Sequence, residues 1–195
     1  MILTRLGWGI LLAILALAGL FAATVRIGPA VPHRAATAVP ASEALPVDPA
    51  VPGALVVPVA GVRRDALASN WGDARDGGAR HHTGLDIMAP RGTPALAAAD
   101  GRIARVWESA AGGHTLYLRS ADRAWTYYYA HLAGYAPGIA EGQAVRAGQP
   151  IGFVGDTGNA GAGNYHLHFG VTRMRGSEGW WQGEPVDPYP LLVRR

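Results

Sequence analysis

Beyond Val62 no stretch of this chain holds a helical period over three turns. Short runs rich in β-branched and aromatic residues alternate instead with glycine-bearing turns. Strands are read over Val56–Val62, Pro94–Ala98, Arg102–Trp107, Thr115–Arg119, Trp125–Tyr129, Pro150–Val154 and His166–Thr172. Asp100-Gly101, Gly112-Gly113 and Gly161-Ala162-Gly163 fall in the turns between them. That succession points to a mainly β domain, a compact antiparallel sheet or sandwich, over residues 54–195. No fixed-period repeat and no second domain is visible.

What precedes the domain has a different texture. Arg5 leads into an apolar run from Leu6 to Val25, closed by Arg26. About twenty apolar residues suffice to span a bilayer as a helix. Ala16-Leu17-Ala18 has the small-x-small form of a cleaved secretory signal, yet the run continues through Gly19, Leu20 and Phe21. Residues 1–26 are therefore read as a transmembrane anchor, with a cleaved signal as the alternative. Residues 27–53 carry Pro29, Pro32, Pro40, Pro46, Pro49 and Pro52, which favour an extended, unpacked linker. At about 3 Å per residue it reaches on the order of 80 Å.

Composition removes several chemistries. With no cysteine there is no disulfide, no thiolate ligand, no cysteine nucleophile and no lipid-bearing cysteine. All 17 basic residues are arginine, which excludes a Walker lysine and a lysine Schiff base. The net charge of +3 is a mild basic excess, suited to an anionic polymer such as cell-wall material. No basic run with interleaved aromatics suggests nucleic acid, and no Gly-x-Ser-x-Gly suggests a serine triad.

The remaining chemistry lies in histidine and aspartate. In the run His166-Leu167-His168-Phe169-Gly170-Val171, residues two apart share a face. Both imidazoles then project together, while Leu167, Phe169 and Val171 face the core. Alone, such a pair is better read as two solvated histidines on an exposed face. His82 and Asp86 change the reading, in a loop that enters a strand with Gly84 easing the backbone. Two imidazoles and a carboxylate from His82, Asp86 and His168 form a plausible zinc triad, and three protein ligands plus a water is the catalytic pattern. His81 is the neighbouring competitor and is read as exposed. His131, in Tyr127-Tyr128-Tyr129-Ala130-His131-Leu132, adds an acid–base group usable near neutral pH. Gly152, Gly155, Gly158, Gly161 and Gly163 read as a flexible groove wall, and His33 and His114 as exposed.

The ordered segments HHTGLDIMAPRGTP, YYYAHL, VGDTGNAG and HLHFGV resemble the lysostaphin-type (LytM-like) zinc endopeptidases that cut peptidoglycan peptides. The resemblance covers roughly Ala54 to Leu192. It implies zinc ligation by His82, Asp86 and His168, catalytic roles for His131 and His166, and an antiparallel β fold with the metal in a loop-walled groove. Gly170 departs from the family, where many members carry an acid, so support behind the ligands is expected to differ. Trp71, in Asn70-Trp71-Gly72, replaces a more usual phenylalanine or tyrosine. The implied substrate is a peptidoglycan peptide at the cell envelope, with membrane attachment through the N-terminal segment. A non-catalytic peptidoglycan-binding module or amidase activator of the same fold is the rival reading.

Overall fold

The structure is a computed structural model and describes residues 55–175 and 177–194. The apolar run, the Pro/Ala-rich segment and His33 lie outside the described residues. Among the described residues, no helix is long and apolar enough to cross a membrane.

The elements in chain order are β1 (Ala74–Arg75), β2 (Arg80–His81), β3 (Leu85–Met88), β4 (Pro94–Leu96), β5 (Gly101–Ser109), β6 (Gly113–Ser120), β7 (Trp125–Tyr135), β8 (Ala144–Val145), β9 (Pro150–Val154), β10 (His166–Arg173), β11 (Glu184–Val186) and α1 (Pro188–Val193). β1 and β2 form a small hairpin, and the other strands join one nine-stranded sheet whose main path runs β11-β10-β7-β6-β5-β8. Every pairing is antiparallel. The expected mainly β architecture is therefore present, as a branched nine-stranded sheet beside a small hairpin.

β10 and β7 organise this sheet. One edge of β10 pairs with β7 over His168–Arg173, and its other edge takes β3 near His168 and β11 near Val171. β7 is 11 residues long, so its later part extends past β10 to pair with β9. The alternation expected for β10 holds on its core side. Leu167, Phe169 and Val171 are fully buried, packed with Leu85, Tyr127, Tyr129, Leu116 and Leu118. Full burial of an aliphatic or phenyl side chain contributes roughly 1.5–3 kcal/mol, so this face fixes the register. A slip of one residue would turn the histidines into the core.

Besides the short strands β1, β2, β8 and β11, which the sequence reading does not include, two elements depart from the sequence expectation. Val56–Val62 is not a regular strand and makes one isolated bridge, Val59 to Ala95. The segment still runs along β4, with Val56 N donating to Ala98 O at 2.8 Å and Leu96 N to Pro58 O at 2.9 Å. Pro58 has no N–H, so it accepts but cannot donate, and the ladder stays incomplete. The closing helix α1 was not anticipated, because its 6 residues are too few to show a period. It starts where Asp187 accepts from Tyr189 N at 2.9 Å and prolines occupy its first turn.

Candidate metal and catalytic centre

Sheet register brings the first two groups together. Asp86 on β3 lies directly opposite His168 on β10, and Asp86 Oδ1 is 3.0 Å from His168 Nδ1. Facing residues on paired antiparallel strands are near neighbours, so this contact follows from the pairing itself. His82 arrives from the link between β2 and β3. Its backbone is pinned by His82 N to Asp73 O and Gly72 N to His82 O, each 2.9 Å. Its Nε2 lies 3.0 Å from Asp86 Oδ1 and 2.9 Å from His168 Nδ1. Three donor atoms thus converge on one point. His81 points away and is exposed, with Nδ1 3.1 Å from Gly72 O.

Gly84 makes the convergence possible. A Cβ there would stand 2.5 Å from His168 Cε1 and 2.9 Å from Phe169 O. The glycine expected to ease the backbone instead clears room for the His168 ring.

His131 and His166 complete the cluster by another route. In β7, Tyr127 and Tyr129 face the core, and strict alternation would send His131 there too. The β6–β7 register slips between His114 and Leu116, and His131 takes a left-handed φ of 60°. This bulge turns His131 out of phase, so Leu132 is the next large fully buried side chain and His131 lines the groove. Backbone bonding supports the unusual conformation, with His131 N donating to Gly112 O at 2.8 Å. A non-glycine residue held at positive φ costs of order 1–3 kcal/mol and is concentrated at functional sites. The His131 and His166 ring centroids are 4.8 Å apart, and His131 lies 6.0 Å from His168 by the same measure.

Main-chain carbonyls fix the ring orientations. The Nδ1 atoms of His82, His131 and His166 each lie 2.8 Å from a carbonyl oxygen, of Asn70, Thr157 and Asn164 respectively. A carbonyl can only accept, so each Nδ1 carries the proton and, in the neutral ring, Nε2 keeps its lone pair. His166 Nε2 comes within 3.9 Å of Asp86 Oδ1.

Electrostatics follow from burial and pairing. Burial alone would push the Asp86 carboxyl up, but hydrogen bonds and charge from His168 and His82 outweigh it and hold it well below the usual range. Burial pushes His131 down to about 4, opposed by its bond to Thr157. Burial likewise lowers His168, opposed by Asp86. The cluster opens into a groove of about 410 Å³, whose walls include Arg80, Thr83, Tyr128, Asn159 and Asn164.

Residues 80–188, more than half of the 195, match peptidase family M23. The chain belongs to that family. It is 39% identical over 138 residues to the L-Ala–D-Glu endopeptidase of Bacillus subtilis, covering 67% of this chain and 41% of the relative. With the DD-carboxypeptidase/endopeptidase Mpg of Neisseria meningitidis it shares 40% identity over 114 residues, 58% of this chain and 23% of that protein. It thus spans less than half the length of these curated relatives. The catalytic domain of lysostaphin from Staphylococcus simulans superposes with a TM-score of 0.56 at 29% identity, covering 67% of this chain and 96% of that domain. The M23 peptidase fold and the lysostaphin-type resemblance read from the sequence therefore agree.

Two residues of this M23 domain were not singled out from sequence. Asn70 is a clamp: Nδ2 donates to Asp86 Oδ2 at 3.1 Å, Oδ1 accepts from Asp86 N at 3.1 Å, and its carbonyl receives His82 Nδ1–H. Arg75 donates to Asp86 Oδ2 at 2.7 Å. The Asn70-Trp71-Gly72 segment was noted for Trp71, whereas its contact with the cluster comes through Asn70. Only the folded chain brings a residue 16 positions upstream onto Asp86. At Gly170 an added Cβ would meet Tyr128 Cβ at 3.4 Å, an ordinary contact. Asp86 is braced at Oδ2 by Asn70 and Arg75. The glycine-rich segment divides in two. Gly161 and Gly163 take positive φ in the turn, whereas a Cβ at Gly155 would strike Ala133 N at 2.4 Å, so Gly155 serves close packing.

Proposed function

We propose that this M23 peptidase is a zinc-dependent endopeptidase that hydrolyses peptide bonds in peptidoglycan stems or cross-links. The observation that carries the reading is a His–Asp–His donor cluster facing one groove with two more histidines whose Nε2 atoms are free of main-chain bonds. Nitrogen, nitrogen and carboxylate oxygen are donors that zinc accepts, and the three atoms already share one focus. Zinc held by His82 Nε2, Asp86 Oδ1 and His168 Nδ1 would supply Lewis acidity at a scissile carbonyl and acidify water near neutral pH.

The chain's own groups account for the proton transfers. His131 is neutral near pH 7, and its Nε2 lone pair can take a proton from the attacking water. His166 presents Nε2 to the same space, and whichever imidazole becomes protonated is then the donor for the oxyanion or the leaving amine. Asn70 and Arg75 orient the Asp86 carboxylate, and His168 and His82 keep it ionised. On the same reading, residues 6–25 anchor the chain in the membrane and residues 27–53 tether the domain at the cell envelope.

The test digests purified peptidoglycan with the zinc-loaded full chain and identifies new termini by mass spectrometry. New amine and carboxyl ends within the peptides are expected. Binding to cell walls without any new terminus would overturn the reading in favour of a non-hydrolytic binding module.

A further inference from the structure

A row of rings continues outward from the groove. The registers place Gly170, Tyr128, Tyr117 and Arg105 side by side on β10, β7, β6 and β5. Residues that face one another across a sheet share a face, so this line leaves the cluster on the side that carries His168. Tyr128 lines the groove and meets His168 at 5.8 Å between ring centroids. Tyr117 packs on Tyr128 at 4.6 Å, and Trp180, from the loop after β10, packs on Tyr117 at 4.6 Å. Trp107 and Trp181 flank Trp180 at 6.2 Å and 5.2 Å. The Arg105 guanidinium lies 5.1 Å from the Trp107 ring centre.

The outer end of the row does not serve the core. Trp107 is 44% exposed and Trp181 65% exposed, and only Met88 joins them as a large exposed apolar side chain among the described residues. Clustered indoles left in water beside a groove mark a contact surface.

We infer that this aromatic shelf holds sugar rings of the glycan strand that carries the peptide to be cut, an inference that rests on the peptidoglycan-peptidase reading. Pyranose rings present a C–H face to an indole and a polar rim to neighbouring groups, here Arg105 and Glu141, paired at 3.3 Å. Three strand spacings of about 4.8 Å put the shelf roughly 14 Å from His168. About four extended residues cover that distance, which suits a short peptide running from a sugar on the shelf to a bond in the groove. The shelf is stepped, with Trp180 inclined at 47° to Trp107, 62° to Tyr117 and 71° to Trp181. Steps of this kind fit individual rings better than the plane of a lipid surface.

The experiment uses the full chain and its Trp107→Ala/Trp181→Ala variant, whose exposed positions leave the core intact. Glycan strands stripped of peptide are titrated against each and read by tryptophan fluorescence. Wild type binds, and the variant binds about tenfold more weakly, the size expected for losing two stacking contacts. On glycan-bearing peptide the variant's KM rises about tenfold more than on the same peptide without sugar. Absence of strand binding by the wild type, or equal losses on both substrates, overturns the proposal. Binding to phosphatidylglycerol vesicles that the variant loses, without strand binding, overturns it in favour of a lipid surface. The strand titration needs no hydrolysis, so a chain that binds strands yet cuts nothing supports the shelf while removing the peptidase reading.

Discussion

The two halves of the groove are held in unlike ways. Asp86 and His168 meet because β3 and β10 are in register, and Asn70 and Arg75 side chains brace the carboxylate. His131 and His166 are aimed by the Thr157 and Asn164 carbonyls, and His131 reaches the groove only through a left-handed residue in a bulge. The Asp86–His168 pair is therefore adjustable one side chain at a time, whereas His82 beside it is aimed by the Asn70 carbonyl. The histidine pair depends on backbone shape, which no single side-chain replacement nearby reproduces.

Substitutions can separate the halves. The largest effect is expected for Asp86→Ala or His168→Ala, which should remove bound metal and hydrolysis together, as read by elemental analysis and peptidoglycan digestion. His131→Ala should instead keep the metal and lower kcat by about 10²–10⁴, the range of a lost general acid or base. If the purified His131→Ala chain came without metal, the division into halves would be wrong. Gly84→Ala comes next. Its methyl group collides with the His168 ring, so metal loss is expected with about 1–3 kcal/mol of destabilisation in a thermal melt. A chain with Gly84→Ala that binds metal as wild type does would show that His168 can move.

Asn70→Ala and Arg75→Ala should each weaken metal affinity by roughly 10–100-fold while preserving the fold, measured by competition with a chelating dye. The smallest effect is on pH dependence. In the metal-free chain His131 has a folded pKa of about 4, against about 6.5 when unfolded. Between these values the unfolded state binds more protons, so the stability linked to a neutral His131 is fully present above about pH 6.5 and fades toward pH 4. Melting temperatures over that window should fall less steeply in His131→Gln than in wild type.

Legibility in the sequence followed periodicity. β9 was read to the residue, and β10 to within one, because its alternation is clean and its turns carry glycine. β7 is expected from the sequence to end at Tyr129 but runs on to Tyr135, and the phase of its apolar positions breaks at His131. The break was itself a signal. Tyr127, Tyr129 and then Leu132 mark a one-residue insertion, and a polar residue inside such a slip is a candidate for re-aiming. The ligand-type residues His82, Asp86 and His168 were visible from donor chemistry and from the family resemblance, and the fold brings their donor atoms together. Asn70 and Arg75 carried no such mark. Their partners are set by how the chain around β1 and β2 folds over Asp86, which neither residue type nor spacing encodes. Val56–Val62 misled because valine-rich composition signals extension, while regular pairing also needs the N–H that Pro58 lacks.

The pairing of Asp86 with His168 spans 82 residues of chain. Those donors meet only when β3 closes onto β10. Contacts at such separation form slowly, because loop closure must precede any gain from them. Metal capture by these donors would then mark the end of folding, and ligand binding confined to the native state adds to its stability by mass action. A domain folding in a metal-poor medium would be expected to reopen at this seam first, and addition of zinc should raise its melting temperature.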